Sequence, residues 1–528
     1  MNIFVLSLPL FASLGVFAIN WLATDFEKKS NPKAFLDKLR ELAAFGGERE
    51  TIGLRNDLIS KFLEIDPDLG EAIDLAYKLH LGLRKEFADI LKLSEKEQIE
   101  ALQVDLVNFY PKNTVNPYVS LAAKGPWVIT STGAVIHDSG GYGMIGIGHN
   151  PGNVSRVLAK PQVMANVMTA NFSQKRFTEQ LRKEVGHKRT PENRHPFDKF
   201  LCLNSGSEAV TVAARITDIN AGLQTKTGAK HEGKEIKFLG LKGAFHGRTD
   251  RPAQVSDSSL GTYKKVLASF RDRENLVTVE PNNLEQLKKA FEDADRDGVF
   301  FEAMFLEPVM GEGNPGKSIT PEFYQLARGL TVKYNSLLLV DSIQAGLRAR
   351  GYLSIVDYPG FEDLEGPDFE TYSKALNAGQ YPLSVLAMNA KAANLYVMGV
   401  YGNTMTTSPR ALEVACEVLV SMTDDLRRNI QNKGEEFLER LRVIAEENPG
   451  VITDVQGTGL LFSIAMSDDY KVTGDGSFEE YLRKQGLGII HGGVNSLRFT
   501  PHFNITSVEI DLMMDLLREG IIGFKSQS

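Results

Sequence analysis

The chain reads as an α/β protein built on a mostly parallel central sheet, with a smaller α+β region behind it and a helical extension in front. Three observations predict this class. From about residue 109, short apolar runs alternate with helical periods, the pattern of strands buried on both faces and joined by crossover helices. From about residue 411 the order changes to helices followed by strands. Before residue 109 the periodicity is helical throughout.

At 528 residues the chain exceeds the usual single-domain range, so more than one lobe is expected. A composition of 42% hydrophobic and 24% charged residues is that of a soluble globular protein. The net charge of -8, with no basic tract, argues against a nucleic-acid partner. Cys202 and Cys416 are too few and too far apart for a disulfide framework or a four-ligand metal site. No metal is therefore expected, and a reducing, cytoplasmic setting fits.

The first segment, residues 1–24, departs from this average. It carries no charged side chain, and Ile3 to Ala23 is long enough to cross a bilayer. Lys28, Lys29 and Lys33 follow and would leave the body of the protein in the cytoplasm. No basic residue precedes the run and no small-x-small site ends it, which disfavours a cleaved signal. Pro9, Gly15 and Asn20 weaken the span, so a membrane anchor and a helix packed on the protein are both expected outcomes.

Residues 25–108 form the helical extension. Ser30-Asn31-Pro32 starts a helix with Phe35, Leu36, Leu39 and Leu42 on one face, and Gly46-Gly47 breaks it. Asp66-Pro67 opens a second through Ile73, Leu75, Ala76 and Leu79. Ser94-Glu95-Lys96-Glu97 has the form of a capping box, continued by Ile99, Leu102 and Leu106. Further on, Phe200–Leu203, Ile236–Leu241, Ala303–Leu306 and Leu337–Val340 read as buried strands, with Pro321–Tyr334 as an intervening helix. Leu412–Met422 and Asn429–Glu447 read as helices, and Leu460–Ala465 and Ser496–Phe499 as strands.

Several loops after these strands hold chemistry. Asn204-Ser205-Gly206-Ser207-Glu208-Ala209 opens a helix, where backbone N–H groups and two hydroxyls suit a phosphate, although a plain capped turn explains the segment as well. In Phe245-His246-Gly247-Arg248-Thr249 the ring could stack on a cofactor and the guanidinium clamp a carboxylate; a surface loop is the alternative. Glu307-Pro308-Val309-Met310-Gly311-Glu312-Gly313 places two carboxylates where open α/β sheets bind ligands, or else is a solvated acidic turn.

Asp341 closes the apolar run Leu337–Val340, and a buried aspartate needs a cationic or hydrogen-bonding partner. A protonated pyridine nitrogen is one such partner. Gln344 stands three positions on, and Lys374 follows in Ser373-Lys374-Ala375-Leu376. Most lysines are solvated surface groups. An amine beside a ring-facing acid, however, is the pair that pyridoxal phosphate requires. Gly402-Asn403-Thr404 adds a further phosphate ligand.

Taken together and in this order, the segments resemble the class III (ω-amino acid) aminotransferases, pyridoxal-phosphate enzymes of fold type I. The resemblance runs from about Asn116 to the C-terminus and is most specific in Asn204–Ala209, Phe245–Thr249, Asp341–Gly346 and Ser373–Leu383. It implies that residues 109–160 and 411–528 build a small domain and 161–410 a large cofactor-binding domain. By the same resemblance Lys374 is the Schiff-base lysine and moves the proton between substrate and cofactor, and Asp341 pairs with the pyridinium nitrogen. Gln344 hydrogen-bonds the ring's phenolic oxygen, Phe245 stacks on the ring with His246 beside it, and Ser205, Gly206 and Ser207 hold the phosphate. Thr404 matches the threonine that reaches the phosphate of the neighbouring subunit, which implies a homodimer with shared sites.

On the substrate side the resemblance assigns Arg248 to a carboxylate, Arg498 to the 2-oxo acid's α-carboxylate and Glu312 to masking Arg498. Tyr142, seven residues before His149, falls at an aromatic position of the substrate channel. The implied reaction moves an amino group from an ω-amino acid or diamine, of lysine or ornithine type, to a 2-oxo acid such as 2-oxoglutarate by a ping-pong route. An aminomutase on the same fold and a non-catalytic scaffold are the alternatives. The chain departs from the family motif after the ring-binding acid: Ser342 replaces a glutamate, Ala349 stands at the arginine position between Arg348 and Arg350, and Tyr358–Glu365 lengthens the interval to the lysine.

Overall fold

The computed structural model describes residues 31–525, apart from the side chains of Asn113 and Tyr142. The apolar segment 1–24 lies outside the described residues. Among the described residues no helix is long and apolar enough to cross a membrane.

The extension consists of helices Pro32–Phe45, Asn56–Ile65, Pro67–Glu86, Ala88–Leu91 and Glu95–Gln103. Asn31 and Asp66 cap two of them by accepting backbone N–H bonds. At Ser94 and Glu97 both halves of the capping box form, the Glu97 carboxylate accepting the Ser94 N–H at 3.0 Å. Helix Asn56–Ile65 begins at Arg55 without a side-chain cap, which is why no N-cap residue announces it. Leu39, Leu42, Phe62, Ile73 and Ala76 are buried against the body, and Asp66 accepts the indole N–H of Trp127 at 2.6 Å. The extension is thus packed into the fold rather than carried as a free arm.

Strands β1 (Ser120–Lys124), β2 (Trp127–Thr130) and β3 (Val135–Asp138) form an antiparallel meander. The central sheet holds β4 (Lys199–Leu203), β5 (Glu235–Leu241), β6 (Leu276–Val279), β7 (Val299–Leu306), β8 (Leu337–Asp341), β9 (Phe369–Tyr372) and β10 (Ser384–Met388), in the order β4-β10-β9-β8-β7-β5-β6. Its neighbours run parallel except β10, which is antiparallel to both β9 and β4. Every residue of β8, β9 and β10 is buried, as strands covered on both faces require, and the polar Glu370 and Thr371 of β9 are hydrogen-bonded there.

The third sheet contains β11 (Ile452–Thr458), β12 (Leu461–Met466), β14 (Ile490–His491) and β15 (Ser496–Phe499). The short β13 (Leu487–Gly488) instead adds in parallel to β3, joining the two ends of the chain. Helix Asp424–Glu447 lies on this third sheet, with Phe437 stacked on Phe462 at a centroid distance of 4.4 Å.

The inserted stretch Tyr358–Glu365 folds over helix Pro321–Lys333, where Tyr324 donates to the Glu365 carbonyl at 2.8 Å. Strand direction decides where the site lies. Because β10 reverses twice, β4 runs parallel to β5, β7, β8 and β9, so the loops after all five open on one edge. Ligands bind at that edge in open α/β sheets.

Candidate active site

The loops at this edge enclose a cavity of about 200 Å³ lined by Ser205, Gly206, Ser207, Phe245, His246, Asp341, Gln344 and Lys374. Eight positions singled out in the sequence thus share one space. Asp341 sits at the end of β8, only 4% exposed. Its Oδ1 accepts from the Thr371 hydroxyl at 3.0 Å and the Ile343 N–H at 3.1 Å, and Oδ2 lies 2.9 Å from His246 Nδ1. Three partners on three elements fix the carboxylate, the condition under which a buried charge persists. His246 Nε2 is buried and has no hydrogen-bond partner among the described residues.

The loop after β4 leads into helix Gly206–Thr225, with Ser205 as N-cap. Gly206 packs so closely that an added Cβ would lie 2.6 Å from Ile343 Cδ1. Gly247 has φ 121°, where L side chains are rarely found, and a Cβ there would fall 2.1 Å from Ser207 Oγ. Ser207 Oγ accepts the Arg248 N–H at 3.2 Å, which joins the two loops. The outcome is a backbone-lined recess at the N-terminus of a long helix, suited to a phosphate.

Lys374 opens a 3-10 turn with φ 49°. A non-glycine residue in that region carries about 1–3 kcal/mol of strain, held here by the turn and by the Ser373 hydroxyl bonded to the Leu383 carbonyl at 2.7 Å. Burial first and Arg498 second lower the ammonium pKa, against Glu312, Asp341 and Glu307, to about 8.

Arg498, on β15, is 2% exposed. It donates to Glu312 Oε2 at 2.8 Å, to Gln344 Oε1 at 3.2 Å and to the Gly311 carbonyl, while its Nε has no partner among the described residues. Burial works to raise the Glu312 carboxyl, but Arg498 and Lys374 outweigh it and hold the pKa below the usual range. Arg248 lies outside this cavity. It is exposed, with its guanidinium 5.4 Å from the Phe245 ring centroid and 5.9 Å from that of Tyr110. Thr404 is exposed and does not line the cavity; its carbonyl accepts from Asn166 at 3.0 Å. Tyr142 falls in the turn Gly141–Gly143, and its side chain is outside the described residues.

Four further residues shape the site. Glu307 is not a solvated turn residue: it is 2% exposed and lines the cavity. Its Oε1 accepts from Phe245 N–H and its Oε2 from Gly311 N–H, each at 2.9 Å, and burial pushes its carboxyl up to about 7. Ile343 forms one wall between Asp341 and Gln344, its apolar side chain being the only signal in the sequence. Glu370 accepts from Ser342, Ser354, Tyr372 and the Ile355 N–H, so the serine that departs from the family motif has a buried carboxylate partner on the adjacent strand. Arg348 is fully buried and donates to the carbonyls of Leu460, Pro501 and Gly143.

An α/β fold with a phosphate recess, a buried aspartate facing the cavity and an amine of lowered pKa beside it defines a pyridoxal-phosphate-dependent transferase of fold type I. The residues fit the cofactor: the recess at Gly206 and Gly247 leaves no room for a Cβ, and a buried carboxylate, Asp341, lines the same cavity as Lys374. Comparison with known proteins agrees. The family model "Aminotransferase class-III" matches residues 109–521, and the chain belongs to that family.

Acetylornithine aminotransferase of Clostridium acetobutylicum is 30% identical over 330 residues, 62% of this chain and 77% of the relative. Ornithine aminotransferase 2 of Staphylococcus aureus is 27% identical over 423 residues, 79% of this chain and 97% of the relative. The crystal structure of ornithine aminotransferase from Toxoplasma gondii superposes with a TM-score of 0.69 at 22% identity, covering 84% of this chain and 99% of that one. The protein is an aminotransferase, and pyridoxal 5'-phosphate is its cofactor.

Proposed function

We propose that this aminotransferase takes its amino group from an ω-amino acid or diamine-type donor, of ornithine or lysine kind, and passes it to a 2-oxo acid such as 2-oxoglutarate by a ping-pong route. One observation carries the reading: a buried arginine, Arg498, is covered by a carboxylate, Glu312, at 2.8 Å behind the cavity residue Gln344, near enough to Lys374 for both charges to act on it. A covered arginine admits a donor whose reacting amine lies far from its α-carboxylate. Uncovered, it binds the α-carboxylate of a 2-oxo acid bidentately. The curated relatives named for ornithine and acetylornithine support the same donor class.

The residues divide the work accordingly. The recess from Ser205 to Ser207 would bind the cofactor phosphate, and Phe245, Ile343 and Gln344 would hold its ring. Bound pyridoxal phosphate supplies an electron-poor ring that accepts the electron pair left when a proton leaves the carbon bearing the amine. Asp341 keeps the ring nitrogen protonated, with His246 and Thr371 preventing the carboxylate from turning away. Lys374 would hold the cofactor through its amine and move the substrate's proton, a task suited to a pKa of about 8. Arg248, at the mouth, meets the donor's carboxylate.

L-Ornithine, L-lysine, N-acetyl-L-ornithine and 4-aminobutyrate, each incubated with 2-oxoglutarate, should yield L-glutamate with at least one of them. Glutamate from none of these, with ordinary α-amino donors active instead, would refute the assignment. Glu312→Gln uncovers Arg498 and is expected to shift the preference from ω-amines towards α-amino acids by about tenfold, about 1.4 kcal/mol of differential binding. An unchanged ratio of kcat/KM values for the two donor types would contradict the masking role. Only the neutral amine attacks an aldehyde. Uptake of pyridoxal phosphate by the apoenzyme should therefore accelerate as pH rises through about 8, and a flat profile there would count against Lys374.

The reading extends to a homodimer in which Thr404 of each subunit reaches the other's phosphate recess. In support, Thr404 is exposed and does not line its own cavity, and on the two stretches of chain that the Asn166–Thr404 bond joins, Met164, Met168, Met398 and Met405 are largely exposed. An apolar surface of this kind, tied together by the Asn166–Thr404 bond, suits a subunit contact. Sedimentation of the protein as a monomer at micromolar concentration would rule this out. In the same reading 109–160 with 411–528 is the small domain and 161–410 the large one.

A further inference from the structure

Apart from the cofactor pocket, three side chains from distant parts of the chain meet in the interior. They are His137 on β3, His502 in the loop after β15, and Glu509 in the first turn of helix Ser507–Lys525. The relative exposures are 0%, 8% and 4%. Both ring Nε2 atoms converge on Glu509 Oε1, at 3.3 Å from His137 and 2.7 Å from His502, and all three atoms lie within 4.8 Å of one another.

The outer side of this cluster is organised. His137 Nδ1 lies 2.8 Å from Ser139 Oγ, and Glu509 Oε2 accepts the Thr506 N–H at 2.8 Å and the Thr506 hydroxyl at 2.7 Å. Thr506 and Glu509 close a capping box with Oε2 alone, so Oε1 has no part in the helix cap. Trp127 packs edge-on against His137 at 5.1 Å, which keeps that side apolar.

We propose that His137 Nε2, His502 Nε2 and Glu509 Oε1 form a binding site for a divalent cation of zinc type, separate from the amino-transfer site, with a solvent molecule completing the tetrahedron. Two imidazoles and one carboxylate are a zinc-type donor set. Ligand distances near 2.0–2.2 Å in a tetrahedral arrangement place the donor atoms about 3.3 Å apart. The His137 contact has that spacing already, and the His502 contact needs to open by about half an ångström. Each neutral ring frees its Nε2 by carrying the proton on Nδ1, where the Ser139 hydroxyl accepts that of His137. Held partners thus stand behind His137 and Glu509, the kind of support that orients metal ligands.

The cation would tie β3 to the C-terminal helix. The same region supports the turn beside the lysine, since Thr500 donates its N–H to the Ser139 carbonyl at 2.6 Å and accepts the Gly143 N–H at 3.2 Å.

The test uses full-length, cofactor-loaded protein treated with chelator and dialysed against Zn²⁺ or Co²⁺. The expected results are about one equivalent retained per chain, visible ligand-field bands with Co²⁺, and a higher melting temperature with metal. His137→Phe keeps a ring against Trp127 and should abolish retention, and Ser139→Ala should weaken it by about 10–100-fold without abolishing it. Should His137→Phe fail to fold, His502→Gln makes the same comparison. Wild-type protein that retains no metal would overturn the proposal and leave the cluster a hydrogen-bonded clasp. Equal retention by the ligand variants would overturn it too, by placing the ion elsewhere.

Discussion

Replacing Lys374 by alanine should give a folded protein that lacks the visible absorption of lysine-bound pyridoxal phosphate and turns over at least about 10³-fold more slowly. Retained folding is expected because the side chain makes no hydrogen bond on which the core depends. Its burial is a cost that alanine removes, as the lowering of its pKa to about 8 shows. The strained turn stays strained with alanine, since φ 49° is unfavourable to any L side chain. Circular dichroism, the visible spectrum and glutamate formation test this together. A variant that keeps the absorption band and the activity would overturn the assignment of the lysine.

Asp341→Asn has the second largest expected effect, a fall in kcat of roughly 10²–10⁴ with the fold intact. The amide oxygen can still accept from Thr371 and Ile343, now at 3.0 and 3.1 Å, so the end of β8 remains held. The negative charge is lost, and with it the protonated ring nitrogen that makes the cofactor an electron sink. The cofactor should still bind through the unchanged phosphate recess. Turnover within a few-fold of wild type would show that another group, His246 foremost, keeps the ring protonated.

The parts of this molecule that depend on local pattern are legible in its sequence. β8 reads from four apolar residues and an aspartate, and the Ser94–Glu97 capping box from its spacing. The helix after Ser205 reads from its cap. Lys374 and Asp341 become informative only as a pair, together with the phosphate loop. Partners set by tertiary contact were not legible. Arg348 looks like a misplaced motif arginine until its bonds to Leu460 and Pro501, 112 and 153 residues away, are seen. Ser342 looks like a lost glutamate until Glu370 is found across the strand pair. His137 and Glu509 are 372 residues apart, and nothing in either neighbourhood announces the other. Glu307 was ambiguous because an acidic turn and a buried clamp share one spelling.

That clamp governs how the substrate pocket can change shape. Glu307 ties the backbone on one side of the masking carboxylate through the Gly311 N–H at 2.9 Å, and the Glu312 carbonyl is tied on the other by the Gly493 N–H at 2.6 Å. With both flanks anchored, the proposed unmasking of Arg498 would need Glu312 to rotate its own side chain and not a swing of the loop. The same Glu307 carboxylate holds Phe245 in place, so the ring-stacking wall stays still while the charge beside it turns. In the proposed alternation between two unlike substrates, the loop would keep its place and only one side chain would turn.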